Sequence, residues 1–164
     1  QSGVDVVILR LASVYGPGMT QDLYIRSMVE GAVRGQSVRF ATGGSMRRDY
    51  VYIKDVAQAI HLALAADGQR LRRRLFLIAS GTTHTAAEVA ERVRGVLPSA
   101  DIDIGMGLSQ WEARAVRTRA SLDIRHAREE LGYAPKYDLR GGVTDYIQAL
   151  RAAPLVNGGT HGGG

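Results

Sequence analysis

Apolar positions along the chain follow two rhythms, short dense runs and longer stripes at helical spacing. The run Asp5 to Leu11 (DVVILRL) is almost unbroken β-branched and aliphatic sequence, which predicts a strand covered on both faces within a parallel sheet. Tyr15-Gly16-Pro17-Gly18 ends it in a turn. Ile25, Met28, Val29 and Ala32 fall on one face of a helix predicted over Asp22 to Arg34, with Gly35 beyond its end. Short strands follow at Val38 to Ala41 and Tyr50 to Ile53. A second helix is predicted over Asp55 to Ala66, striped by Val56, Ala59, Ile60, Ala63 and Leu64. Leu75 to Ala79 (LFLIA) is a further buried-strand candidate.

Capping signals organise the second half. Thr85 and Glu88 have the spacing at which each side chain satisfies an orphan amide of a first helical turn, and the helix they open stops before Pro98. Asp101 to Ile104 alternates as an exposed strand does. Ser109 and Glu112 repeat the capping spacing. Ser121 to Leu131, ended by Gly132, and Leu139 to Leu150, with Val143, Tyr146, Ile147 and Leu150 in phase, complete the helices. Strands alternating with helices over 1–156 define an α/β unit, and the glycine-dominated stretch Asn157 to Gly164 is expected to be a disordered tail. No internal repeat is present.

The glycines bear on cofactor chemistry. A dinucleotide cradle needs a strand, a G-x-G-x-x-G turn and a helix, because bare backbone must approach the pyrophosphate. Gly43-Gly44 and Gly141-Gly142 have neither that spacing nor that setting. Cysteine is absent, which excludes disulfides and thiolate nucleophiles and fits a cytoplasmic enzyme. No apolar run reaches the roughly 18 residues needed to span a membrane. The four histidines do not cluster, which argues against a metal site. The net charge of +5 is carried by arginine, with Lys54 and Lys136 the only lysines. Guanidinium groups suit phosphates and carboxylates. The Arg70, Arg72, Arg73, Arg74 cluster lacks interleaved aromatics and reads as a loop, not a nucleic-acid platform.

Four stretches, in order, resemble the C-terminal half of the extended short-chain dehydrogenases/reductases, the NAD-dependent epimerase/dehydratase family. VVILRLASVYGPG (Val6 to Gly18) is similar to a strand-turn ending R-x-x-N-x-Y-G-P. RRDYVYIKDVAQAI (Arg47 to Ile60) is similar to R-D-[FY]-[VI]-[YH]-[VI]-x-D-V-A. FLIASGTTHTAAEVAERV (Phe76 to Val93) and LDIRHAREELGYAPKYDLRGGV (Leu122 to Val143) match two later segments. The resemblance implies the last strands of a Rossmann-like sheet plus a small substrate-binding α/β subdomain. It also implies that a catalytic Y-x-x-x-K and the main NAD or NADP site lie upstream of Gln1, in an N-terminal half that this chain lacks, with a homodimer possible. No Y-x-x-x-K occurs here, so the chain alone is expected to be inactive.

The resemblance also implies site residues. Arg48 corresponds to an arginine that clamps the diphosphate of a nucleotide sugar, its competing role being a brace to Asp49 or Asp55. Ser13 stands where the family often has an Asn that reaches the substrate, and is equally suited to stabilising the turn. Ala12 is placed near the nicotinamide through its backbone. Arg114, ahead of Arg117, is the candidate second phosphate arginine. Ala41 departs from the family pattern, which puts Tyr or Phe there. Phe40 would replace it only with a slipped register, since a one-residue slip turns the side chain to the other face. Trp111 is read as packing or a cleft wall.

Three readings follow: the substrate-binding part of a nucleotide-sugar epimerase or dehydratase; the same fold acting on a simple carbonyl or uronic acid, which Ser13 and Ala41 favour; and a non-catalytic binding module.

Overall fold

A computed structural model of the chain describes residues 3–116 and 120–152. The tail expected at Asn157 to Gly164 and the alternative arginine Arg117 lie outside the described residues. The element order is β1 (Ile8–Leu11), β2 (Ser13–Tyr15), α1 (Tyr24–Val33), β3 (Val38–Phe40), β4 (Arg47–Tyr52), α2 (Ile53–Ala65), β5 (Leu75–Ile78), β6 (Thr83–Thr85), α3 (Ala86–Val96), β7 (Ile102–Ile104), α4 (Gln110–Val116), α5 (Arg125–Leu131) and α6 (Leu139–Ala152). The α/β class expected from the alternation of patterns is the one observed.

Pairing is mostly parallel. β1 lies beside β5, β2 beside β4, and β3 beside β7, all parallel, while β6 runs antiparallel to β4. Two apolar clusters result. In one, α1, α3 and α6 pack together and over β2, β4, β3 and β7, around Ile25, Met28, Val89, Val93, Val143 and Tyr146. In the other, β5, α2 and α5 enclose Val56, Ala59, Phe76, Ile78, Ala127 and Tyr133. β4 contributes to both, Tyr50 and Tyr52 to the first and Val51 to the second, because successive strand residues point to opposite faces.

Several expectations shift for physical reasons. β1 is not covered on both faces: Val6 is 55% and Ile8 51% exposed, since β5 is its sole strand neighbour among the described residues. α2 buries Asp55, Val56 and Ala59, but Ile60 is 47% and Leu64 82% exposed, so the stripe expected along its length is half uncovered. The helix expected from Ser121 starts at Arg125, because Ser121 and Leu122 are held by Asp49 and the Asp123 carboxylate takes the Arg125 amide at 3.0 Å. β7 is no exposed strand: Ile102 is buried against α3 and β3. The capping box at Thr85 and Glu88 forms as its spacing requires, with both reciprocal bonds made (2.9 and 3.1 Å).

The glycine pairs serve close packing. A Cβ on Gly142 would sit 1.9 Å from the Tyr15 hydroxyl, so α6 approaches β2 only because that position is bare. Gly43, with φ of +106°, abuts the Tyr24 ring, and Gly43, Gly44 and Ser45 are bonded to the backbone of residues 105–107. The loop before Arg48 is therefore tied down on both sides. Arg70 and Arg74 pair with Asp67 and Asp5 in the loop expected for them. Among the described residues, no helix is long and apolar enough to cross a membrane.

Candidate functional site

The chain stays extended past the strand expected over Asp5 to Leu11 and takes a second partner there. β1 and β2 are separated only by Ala12, whose amide still donates to the Ile78 carbonyl at 2.9 Å. Before Ala12 the chain pairs with β5, after it with β4. β5 ends at Ile78, and the chain turns away through Ser80 and Gly81, the latter at φ +81°. Crevices form where the carboxyl ends of parallel strands part, since no neighbour covers them there. Here the crevice is about 410 Å³, with Arg10, Ala12, Ser13, Gln21, Arg48 and Leu122 in its wall.

Arg48 also enters an adjoining recess of about 420 Å³, lined by Tyr24, Phe40, Thr42, Trp111 and Glu112. α4 forms one wall. Its first turn is closed by the Ser109 amide on Glu112 Oε2 (2.8 Å) and the Glu112 amide on Ser109 Oγ (3.3 Å), the reciprocal pair that the spacing of the two residues promised. The Tyr24 hydroxyl donates to the other Glu112 oxygen. Burial pushes the Glu112 carboxyl up, but the Tyr24 hydroxyl, the Ser109 donors and the charge of Arg48 outweigh it and hold the group below the usual glutamate range. Burial and the Glu112 hydrogen bond together push the Tyr24 phenol up to about 12. The Tyr24 ring meets Phe40 edge to face at 4.7 Å, so α1, β3 and α4 are clamped around one aromatic corner. Trp111, 64% exposed, stands at its mouth.

The two aspartates that follow Arg48 in sequence, Asp49 and Asp55, have separate work. Asp49 is buried and accepts the Ser80 amide (3.0 Å), the Ser80 hydroxyl (2.8 Å), the Leu122 amide (3.2 Å) and the Ser121 hydroxyl (3.4 Å). Asp55, also buried, accepts the amides of Lys136 (2.8 Å) and Tyr137 (3.1 Å). Both carboxylates thus organise loops from distant parts of the chain, and Asp49 fixes the Leu122 wall of the crevice.

Ala12, Ser13 and Arg48 line one crevice. Ala12 brings less than expected, because its amide is already spent on Ile78. Arg114 lies exposed on α4 and lines neither cavity. Phe40, opposite Ile104 in the β3–β7 pair, lines the Arg48 recess. Gln21, Tyr24 and Leu122 were not singled out by sequence as site residues, and Glu112 only as a helix cap. No local signal marks them: Tyr24 meets Glu112 across 88 positions. Among the described residues, no group of histidine and carboxylate side chains is placed to hold a metal ion.

A model of the NAD dependent epimerase/dehydratase family matches residues 1–79. A dTDP-glucose 4,6-dehydratase of Streptomyces niveus is 29% identical over 149 residues, which are 91% of this chain and 43% of that protein. UDP-glucuronic acid decarboxylase 6 of Arabidopsis thaliana is 26% identical over 145 residues, 87% of this chain and 40% of that one. Among solved structures, a UDP-glucose 4-epimerase of Thermotoga maritima with UDP-glucose superimposes with a TM-score of 0.73 at 26% identity, over 88% of this chain and 45% of its own. A partial consensus L-threonine 3-dehydrogenase superimposes at 0.77 with 23% identity, over 92% and 50%, a likeness of fold. The chain spans about two fifths of the length of the curated relatives it matches.

Proposed function

We propose that this chain is the substrate-binding portion of an NAD(P)-dependent enzyme of the epimerase/dehydratase family, acting on a nucleotide sugar. The observation that carries the reading is the meeting of Ser13 and Arg48 at the strand fork, with an aromatic recess opening beside the same arginine. Arg48 holds the diphosphate, since a planar guanidinium can grip two oxygens at once. Ser13 hydrogen-bonds a sugar or phosphate oxygen. The corner formed by Phe40 and Trp111 receives the base, taking over the role that Ala41, exposed and side-chain poor, leaves open. That aromatic corner favours a nucleotide over a simple carbonyl substrate.

The dinucleotide finds little here. Among the described residues no strand, G-x-G-x-x-G turn and helix are joined to receive a pyrophosphate, and the Ala12 amide is already engaged. We therefore assign the hydride chemistry and most of the cofactor contacts to the half carrying the Tyr-Lys pair. Among the described residues β1 has one edge without a strand partner, and this edge, with exposed Val4 and Val6 before β1, Ile8 within it and Ile60 and Leu64 on α2, supports such a neighbour. Alone, the chain is inactive and binds no NAD at micromolar concentration.

The sole tryptophan of the chain, Trp111, supplies the test, since it stands in the recess. UDP-glucose is titrated against its fluorescence. Arg48→Ala is expected to weaken binding about ten- to a hundredfold, the worth of a charge-assisted contact, and Arg48→Lys to recover it only in part. In the assembled enzyme the loss should appear in KM with kcat nearly unchanged, as for an anchor that grips ground and transition states alike. Equal affinity in Arg48→Ala and a lowered melting point would make Arg48 a brace and end the assignment.

A further inference from the structure

We infer that the cavity enclosed by β6, α3, α5 and the start of α6 is a second ligand site, built for a small phosphorylated anion. Its volume, about 530 Å³, lies within the range of small-molecule sites. It shares no residue with either cavity at Arg48. The inference stands independently of the nucleotide-sugar reading.

Three guanidinium groups line it, each from a different element: Arg92 on α3, Arg128 on α5 and Arg140 in the first turn of α6. None of the three is in an ion pair or donates a side-chain hydrogen bond among the described residues. Arg39, Arg74 and Arg125, by contrast, are each matched to an aspartate at 2.7 Å or less. The one carboxylate in the wall, Asp138, accepts the Gly141 amide at 2.6 Å and is the cap of α6. The lining therefore carries three fixed positive charges against one negative. Three like charges brought together by separate elements repel, and an ion of charge two or more would relieve the repulsion while accepting forked hydrogen bonds. Thr82 adds a neutral hydroxyl donor to the wall, whereas the Ser80 hydroxyl gives its proton to Asp49. A phosphoryl group, with oxygens in three directions, suits donors that converge from three sides better than a flat carboxylate does.

The test uses the 164-residue chain and inorganic pyrophosphate as probe, in an Arg48→Gln background that silences the other cavity. Calorimetry should give saturable binding, and amide resonances of Thr82 and of Tyr137 to Arg140 should move. Adding Arg92→Gln and Arg128→Gln, both exposed positions whose change leaves the core intact, should weaken binding by about tenfold or more. The melting temperature of each variant, taken without ligand, verifies that the fold is kept. No saturation up to about 10 mM, undiminished binding in the double variant, or shifts centred on Ser13 and Leu122 would each overturn the site. Citrate binding more tightly than pyrophosphate would overturn the phosphoryl class.

Discussion

Asp49 is the point at which the fold can be struck with the clearest arithmetic. Replacing it with Ala removes one carboxylate and strands four donors, of which the Ser80 and Leu122 amides cannot turn elsewhere without moving their loops. A hydrogen bond to a charged group is worth about 1.5–3 kcal/mol, and two such bonds set a ceiling of about 3–6 kcal/mol. Ser80 and Leu122 are only half-buried, so water recovers part of this, and the deletion relieves the cost of burying the charge. The expected loss is about 3 kcal/mol, which for a chain of this size lowers the melting temperature by about 6–12 °C. Asp49→Asn keeps one acceptor but turns a second donor toward an amide, and should lose about half as much. Far-ultraviolet circular dichroism through a thermal ramp reads both. Because Asp49 lines the crevice and also holds Leu122 in its wall, Asp49→Ala should also weaken UDP-glucose binding. A melting temperature within about 2 °C of the parent would mean that the four contacts carry no net stability, and the account of the motif would fail.

Two glycine substitutions should have opposite signs. Gly142→Ala drives a methyl into the buried Tyr15 hydroxyl and should cost about 1–2 kcal/mol net, whereas Gly95→Ala, exposed on α3 with nothing within 4 Å, should gain about 0.5–1 kcal/mol; urea midpoints measure both, and equal signs would refute the packing argument. Glu112, held below its ordinary value of 4.5, contributes stability that is complete above that pH and lost as pH falls through the lower folded value. Melting temperature against pH should therefore fall more steeply on the acid side in the parent than in Glu112→Gln, and parallel curves would show that the Tyr24 contact is not coupled to stability.

Local physics was legible in the chain and distant pairing was not. The capping boxes at Thr85 and at Ser109 depend on residues three apart, and the stripes of α1, α3 and α6 on a repeat within one helix, so sequence located them. The fork at Ala12 leaves no mark, because a strand that changes partner midway has the same apolar run as one that does not. Asp49 acts across 31 and 73 positions, distances over which spacing says nothing. Ser13 and Arg48 could be paired only through the resemblance to a family, and the part of Tyr24 in the corner with Phe40 and Trp111 was hidden even from that. Arg114 was placed by motif alignment alone, and it stands exposed on α4 outside both cavities at Arg48.

The exposed edge of β1 and the crevice at the end of β2 belong to one continuous piece of chain. Leu9, on the edge, is three positions from Ala12, and Leu11 two from Ser13, so any element that adds a strand beside β1 constrains the backbone that presents Ser13 to a ligand. Adding a strand and binding a ligand are then thermodynamically linked, and linkage is reciprocal: whatever affinity the ligand gains from an occupied edge, the edge partner gains from the ligand. An unpaired row of amides and carbonyls also accepts strands indiscriminately, including those of other copies of the same chain. Ligand bound at the fork would hold the edge in the shape its proper neighbour requires, so that the small molecule acts on assembly as well as on chemistry.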